Sequence, residues 1–176
     1  MLRAYRGRVP TVHPTAFVDE SAQVIGDVEI GSDSSLWMQV VVRGDVNAIR
    51  IGQRSNLQDG TIVHVMHGTH PTMIGDDVTI GHGAIVHGCT IGNRVLIGMG
   101  AIVLNGARVG DDSIVAAGTL VTEGTVIPPQ SLVMGSPGRV RRSLEPAEIA
   151  SILEYSENYV RYKQDYARTS GDEAGG

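Results

Sequence analysis

Aliphatic side chains recur at every sixth position through most of the chain, a spacing that fits neither the 3.6-residue period of a helix nor the alternation of a single strand. The frame runs Val12, Val18, Val24, Ile30, Leu36 and Val42. It resumes at Ile51, Leu57 and Val63, and again at Ile74, Ile80 and Val86, then continues from Ile91 through Ile97, Val103, Val109, Val115 and Val121 to Ile127. Four residues after these aliphatics stand small or β-branched side chains: Ala16, Ala22, Val28, Ser34, Val40, Ser55, Thr61, Val78, Ala84, Ala101, Ala107, Ser113 and Thr119. A stacked β-coil needs that combination, because rungs lie about 4.8 Å apart, with large side chains inside and small ones at tight corners. The period therefore predicts a β-solenoid. Glycines directly after many aliphatics (Gly31, Gly52, Gly75, Gly81, Gly92, Gly98 and Gly110) read as turns between short strands.

After Ile127 the pattern changes. Pro128-Pro129 is expected to end the coil, and Gly135-Ser136-Pro137-Gly138 to form a turn. A helix is expected from near Pro146, with Glu148 in the first turn, where the helix dipole favours it. Ile149, Ile152, Leu153, Ser156, Tyr159, Val160 and Lys163 follow helical spacing, so one stripe should lie along the solenoid. The chain divides into a β-solenoid domain over 1–140, a packed helix over 141–168 and a flexible tail over 169–176.

The 176 residues suit one domain, and with only 4% aromatic residues its core must be built from stacked aliphatics. A net charge of −5 gives no electrostatic footprint for nucleic acid. The start lacks an apolar signal region, and no stretch reaches the ~20 apolar residues of a membrane span, so a soluble cytoplasmic protein without a membrane partner is expected. A single cysteine, Cys89, excludes an internal disulfide and reads as a small buried hydrophobe.

Grouped in threes, the hexads give coils beginning at Val12, Ile30, Ile51, Ile74, Ile91 and Val109, with three extra residues before Ile51 and five before Ile74. Such insertions are expected to form loops, where functional residues collect. In this register Arg43, His64 and His87 each follow the aliphatic of the third hexad and should stack up one edge. Asp59 and His82 each lie two after the aliphatic of the second hexad and should stack on a different face. A single buried histidine is usually structural; three at fixed phases point to a metal. His64 and His87 can share an ion, whereas His82 lies a face away. Catalytic zinc takes three protein ligands, nitrogens at about 2.0–2.1 Å, and keeps one position open. If three chains pack around an axis, His82 of one can complete the pair of the next. The geometry thus predicts a homotrimer with interfacial metal sites, in line with the cyclic symmetry of soluble oligomers.

The segments RGDVNAIRIG (43–52), SNLQDGTIVH (55–64), TIGHGAIVHGC (79–89) and LIGMGAIVLNGA (96–107) resemble those of the γ-class carbonic anhydrases, in particular the short bacterial members often labelled hexapeptide-repeat transferases. The resemblance covers about residues 9 to 165. It implies a left-handed parallel β-helix of triangular coils with a C-terminal helix along it. It implies His64, His82 and His87 as metal ligands, for Zn2+ or for the Fe2+ or Co2+ that imidazole also suits. The implied reaction is reversible hydration of carbon dioxide to bicarbonate by a metal-bound hydroxide at trimer interfaces. Arg43 and Asp59 match a pair that bridges subunits. Asp45, Asn56 and Gln58 match polar residues around the metal-bound water, with the Gln58 amide suited to orient it and Asn56 to hold that amide. Tyr159 matches a tyrosine that approaches the site from the helix, with Tyr155 as the other candidate.

One departure concerns proton transfer. Long members of that family carry an acidic loop with a glutamate shuttle, whereas residues 65–73 here contain no carboxylate. His67 or His70 would have to replace it, since histidine exchanges protons near neutrality. Two other functions suit the same prism: a hexapeptide acyltransferase or acyl-CoA thioesterase, and a non-catalytic metal-binding trimeric scaffold. The fold does not choose among them.

Overall fold

The computed structural model describes residues 1–172, with side chains to residue 168. Short parallel strands wind into a triangular solenoid, each pairing with the strand one coil away. Leu57 pairs with Ile80 on the second face, Val63 with Val86 on the third, and Ile91 with Val109 on the first. The register is the six-residue frame itself. Every aliphatic in it from Val24 to Ile127 is buried, and the small residues from Ala22 to Thr119 are buried at the corners. Val12 and Val18, in the first coil, are only partly covered. Cys89 is buried as expected, and burial pushes its thiol up to about 12, so it stays a protonated, inert hydrophobe.

Three expectations are corrected. First, Pro128-Pro129 does not end the coil. Strand Ser131–Gly135 adds another rung, with Val133 buried and paired to Val115, before turning at Gly135 and returning antiparallel as Gly138–Ser143. The prolines are tolerated because Val126–Ile127 is the last strand of its face, so their missing N–H groups remove no ladder bond.

Second, the glycines directly after the aliphatics are not the turn residues. Left-handed φ falls three positions after the aliphatic, at Asp33, Arg54, Asp77, Arg94, Asp112 and Gln130 or at glycines such as Gly118. The earlier glycines are needed because the next coil's backbone passes too close. A Cβ on Gly98 would stand 2.4 Å from the Ala117 nitrogen.

Third, the insertion before Ile51 forms no loop. It is absorbed into the 11-residue strand Val41–Ile51, which runs around the corner between the third and first faces beside Gln23–Ile30. Gly26, at φ 81, lies directly against Gly44 there, and an added Cβ would meet the Gly44 oxygen at 2.3 Å. Only the insertion before Ile74 leaves the prism. That loop is closed by the Met66 N–H donating to the His70 oxygen, and by Asn47 Nδ2 donating to the Met66 oxygen at 3.1 Å.

Helix α1 spans Pro146–Asp172, beyond the expected end at 168, and residues 173–176 of the expected tail lie outside the described residues. Its buried stripe includes Ile152, Ser156 and Lys163. The Lys163 ammonium donates to the Thr15 carbonyl at 2.5 Å and to Asp33 Oδ1 at 2.7 Å. Trp37 packs edge-on against Tyr159 and Tyr166 of the helix. Among the described residues no helix is long and apolar enough to cross a membrane.

Candidate metal centre

Strands Ile62–His64 and Ile85–His87 lie in register, with His64 opposite His87. Side chains alternate along a strand, so burying Val63 and Val86 turns both histidines outward on the same edge. His64 Nδ1 and His87 Nε2 end 3.0 Å apart. Asp45 projects from the long strand Val41–Ile51 and reaches His64 Nε2 with Oδ1 at 3.0 Å, while its Oδ2 accepts from Arg43. An ionised carboxylate only accepts, so His64 donates from Nε2 and its Nδ1 is a bare lone pair. Burial lowers the His64 pKa and keeps the ring neutral, against the opposing pull of Asp45. Burial alone would raise the Asp45 carboxyl, but the hydrogen bonds from His64 and Arg43 hold it below the usual range. His87 Nδ1 lies 2.7 Å from Asn105 Oδ1, a partner that the six-residue frame did not single out because Asn105 stands one position later in its hexad than His87 does.

The second face supplies the other group. Asp59 and His82 stack one coil apart, with Asp59 Oδ2 2.8 Å from His82 Nδ1. The His82 side chain is 47% exposed, with Nε2 bare. Beside them Asn56 and Gln58 are buried. Asn56 Nδ2 donates to Thr79 Oγ1 at 2.8 Å, and Gln58 Nε2 donates to Asn56 Oδ1 at 3.3 Å, so Asn56 does hold the Gln58 amide. Thr79 was not foreseen; it belongs to the same column, one coil on from Asn56. Helix α1 closes over this face and leaves a cavity of about 430 Å³ lined by Gln58, His82, Met99, Tyr155, Tyr159 and Tyr162. Tyr159 is both packed against Trp37 and exposed to this cavity. Burial first, then Asp59 and Tyr162, raises its phenol pKa, so it remains a proton donor at neutral pH.

The structure thus gathers the expected residues into two groups on different faces. Arg43 pairs with Asp45 and not with Asp59 within the chain. His67 is exposed in the loop, and among the described residues no hydrogen bond ties it to either group. Among the described residues no three ligating side chains come together in one chain.

The residues present nonetheless fit a metal. Each of His64, His82 and His87 has one nitrogen against an oxygen acceptor, Asp45, Asp59 and Asn105 respectively, and the other nitrogen facing no oxygen, those of His64 and His87 facing each other. Metal-binding histidines show this arrangement, donating the second N–H to an acceptor that fixes the ring. Two lone pairs facing each other at 3.0 Å repel unless a cation lies between them, and two bonds of about 2.0–2.1 Å to one ion can span that gap.

A repeat model described as bacterial transferase hexapeptide matches residues 71–103 and 88–123. The chain is 50% identical over 147 residues to a protein named "Probable carbonic anhydrase" from Methanocaldococcus jannaschii, covering 84% of this chain and 92% of that one. It is 46% identical over 165 residues to "Gamma carbonic anhydrase 1, mitochondrial" of Arabidopsis thaliana, covering 91% of this chain. This chain spans only 60% of that relative's length. A crystal structure of a hexapeptide transferase family protein from Anaplasma phagocytophilum superposes with a TM-score of 0.90 at 41% identity, covering 94% of this chain and 97% of that one. The chain belongs to the γ-carbonic anhydrase-like family. Its solenoid is accordingly the left-handed parallel β-helix of hexapeptide repeats.

Proposed function

We propose that this protein reversibly hydrates carbon dioxide to bicarbonate at metal centres shared between neighbouring copies of a homotrimer. His64 and His87 of one copy and His82 of the next would hold the ion. The observation that carries this reading is the pair of facing bare nitrogens on one edge, with the third bare nitrogen on another face of the same chain. Two chains bring such a set together; one chain does not. The relatives named as carbonic anhydrases support the reaction class. Zn2+ is the ion we assign, with Fe2+ or Co2+ also compatible with three imidazoles.

When bound, such an ion supplies a Lewis acid that makes water nucleophilic at neutral pH. The chain's own residues orient the reactants. With its nitrogen held by Asn56, the Gln58 amide leaves its oxygen to accept a hydrogen bond from water and so to aim a lone pair of the water at the carbon of the substrate. Tyr159 can donate from its phenol to an oxygen of bicarbonate. Asp45 fixes the His64 ring and Asp59 the His82 ring. Arg43 and Asp59, on separate edges, can meet across the chain contact, where a guanidinium–carboxylate bond sets register. Hydration of one carbon dioxide by one water gives bicarbonate and one proton, and exposed His67 is the group we assign to pass that proton to buffer.

Metal analysis of anaerobically purified protein, paired with a hydration assay on the same sample, tests the proposal. One ion per chain with hydration supports it. Bound metal without hydration in the zinc, iron and cobalt forms would favour a scaffold, and acyl-CoA binding without metal would favour acyl transfer or thioester hydrolysis.

A further inference from the structure

Beyond His87 the hydrogen-bonded column continues to the surface through residues with no assigned role. Asn105 Oδ1 lies 2.7 Å from His87 Nδ1, and Asn105 Nδ2 donates to Glu123 Oε1 at 2.8 Å. Asn105 and Glu123 each stand two positions after paired aliphatics, Val103 and Val121, so they occupy the same phase on successive rungs. The backbone holds the Asn105 corner from both sides: the Gly106 N–H donates to the Gly88 oxygen at 2.7 Å, and the Gly124 N–H to the Asn105 oxygen at 2.9 Å. Gly88, at φ 58, leaves the space that the amide crosses to reach His87, since a Cβ there would stand 2.4 Å from Asn105 Oδ1.

A side-chain amide can present either its oxygen or its nitrogen to a ring nitrogen, and the two choices demand opposite histidine tautomers. An ionised glutamate has acceptors only. Glu123 therefore takes the Asn105 NH2 group, turns the Asn105 oxygen toward His87, and requires the ring proton on Nδ1. His87 Nε2, the atom facing His64, is then the bare one.

We propose that Asn105 and Glu123 are positioning residues that hold His87 in its metal-binding tautomer, with the exposed Glu123 acting through Asn105. The consequence for metal affinity rests on the proposed metal centre, whereas the tautomer itself does not. In the other amide orientation, Asn105 would donate to Nδ1, the proton would move to Nε2, and the ring would present N–H to the ion.

The test uses the full chain, metal-free and metal-loaded, with melting temperature and oligomeric state as folding controls. Long-range 15N–1H spectra of the metal-free protein report which His87 nitrogen carries the proton, and chelator competition reports Zn2+ and Co2+ affinity. The wild type should show the proton on Nδ1. Asn105→Leu should move it wholly or partly to Nε2 and weaken both ions by about 10–100-fold, the usual effect of losing such a partner. Asn105→Asp combined with Glu123→Gln, which keeps an acceptor on the ring and a donor opposite it, should restore the Nδ1–H form and most of the affinity. Glu123→Ala, which frees the amide to turn, should give a mixture of tautomers and a smaller loss. An Nδ1–H ring in folded Asn105→Leu, or a wild-type ring protonated on Nε2, overturns the proposal. A wild type that shows the Nδ1–H form yet binds neither ion would overturn the metal centre and leave the tautomer control standing.

Discussion

In the proposed reaction some side chains would hold the ion and others would aim the reactants, and substitutions should separate the two. Gln58 touches Asn56 and the cavity but none of the three histidines through a hydrogen bond. Gln58→Ala should therefore keep the metal content and assembly of the wild type while slowing hydration by about 10–100-fold. Metal analysis and a stopped-flow assay on one sample check this, and loss of metal together with rate would show that Gln58 supports the ligands instead. His67→Ala should slow turnover only at low buffer concentration and recover on adding imidazole; a slow rate that imidazole does not rescue would remove His67 from the proton path. The phases of His64, His82 and His87 were legible because a six-residue frame states which edge each side chain leaves from. The partners of those rings were less so. Asp45 reaches His64 because its strand stays extended past the corner, and Asn105 reaches His87 from a different phase through space that Gly88 leaves open.

At the scale of single elements, the corner pattern separates two kinds of glycine. Gly118 sits at φ 65 with nothing within 4 Å of an added Cβ, and equivalent corners carry Asp or Arg. Asn tolerates left-handed backbone, so Gly118→Asn should change stability by no more than about 0.5 kcal/mol. Gly98→Ala would force a methyl against the next coil's backbone and should cost about 1–3 kcal/mol. Thermal melts of the two variants compare them directly, and equal losses would contradict this account of the corners. The sequence pointed to the glycines after the aliphatics as turns and not to the corners three positions on, because the aliphatic frame fixes where side chains point and not how closely the neighbouring backbone passes.

The helix carries its own pH dependence. The hydrogen bond from Lys163 holds the Asp33 carboxyl below its ordinary value of 3.8. Because the folded pKa is the lower one, this contribution is present above pH 3.8 and is lost as pH falls below it toward the folded value. The single tryptophan, Trp37, packs against the helix and should report undocking by fluorescence. Lys163→Met should loosen the helix at neutral pH and flatten the acid transition below pH 3.8. An acid transition unchanged in that variant would show that Asp33 does not couple docking to pH.

For the molecule as a whole, the repeat made the solenoid readable, since nearly every aliphatic in the frame is a buried rung residue. The last rung was missed because Pro128-Pro129 resembles a terminator, and its placement on the final strand of a face is a property of the stacked coils. The proposed assembly follows from a mismatch within one chain: two bare histidine nitrogens on one edge, and a third on another face. Subunit complementation tests that claim most directly. His64→Ala and His82→Ala should each purify without tightly bound metal, because each destroys every shared site. When the two are unfolded together and reassembled, any trimer containing both should have one intact site, formed by His64 and His87 of the His82→Ala chain and His82 of the His64→Ala chain. The account predicts that metal returns to these mixed trimers at up to one ion each; mixed trimers that stay metal-free, or either single variant retaining a full complement of metal, would contradict it.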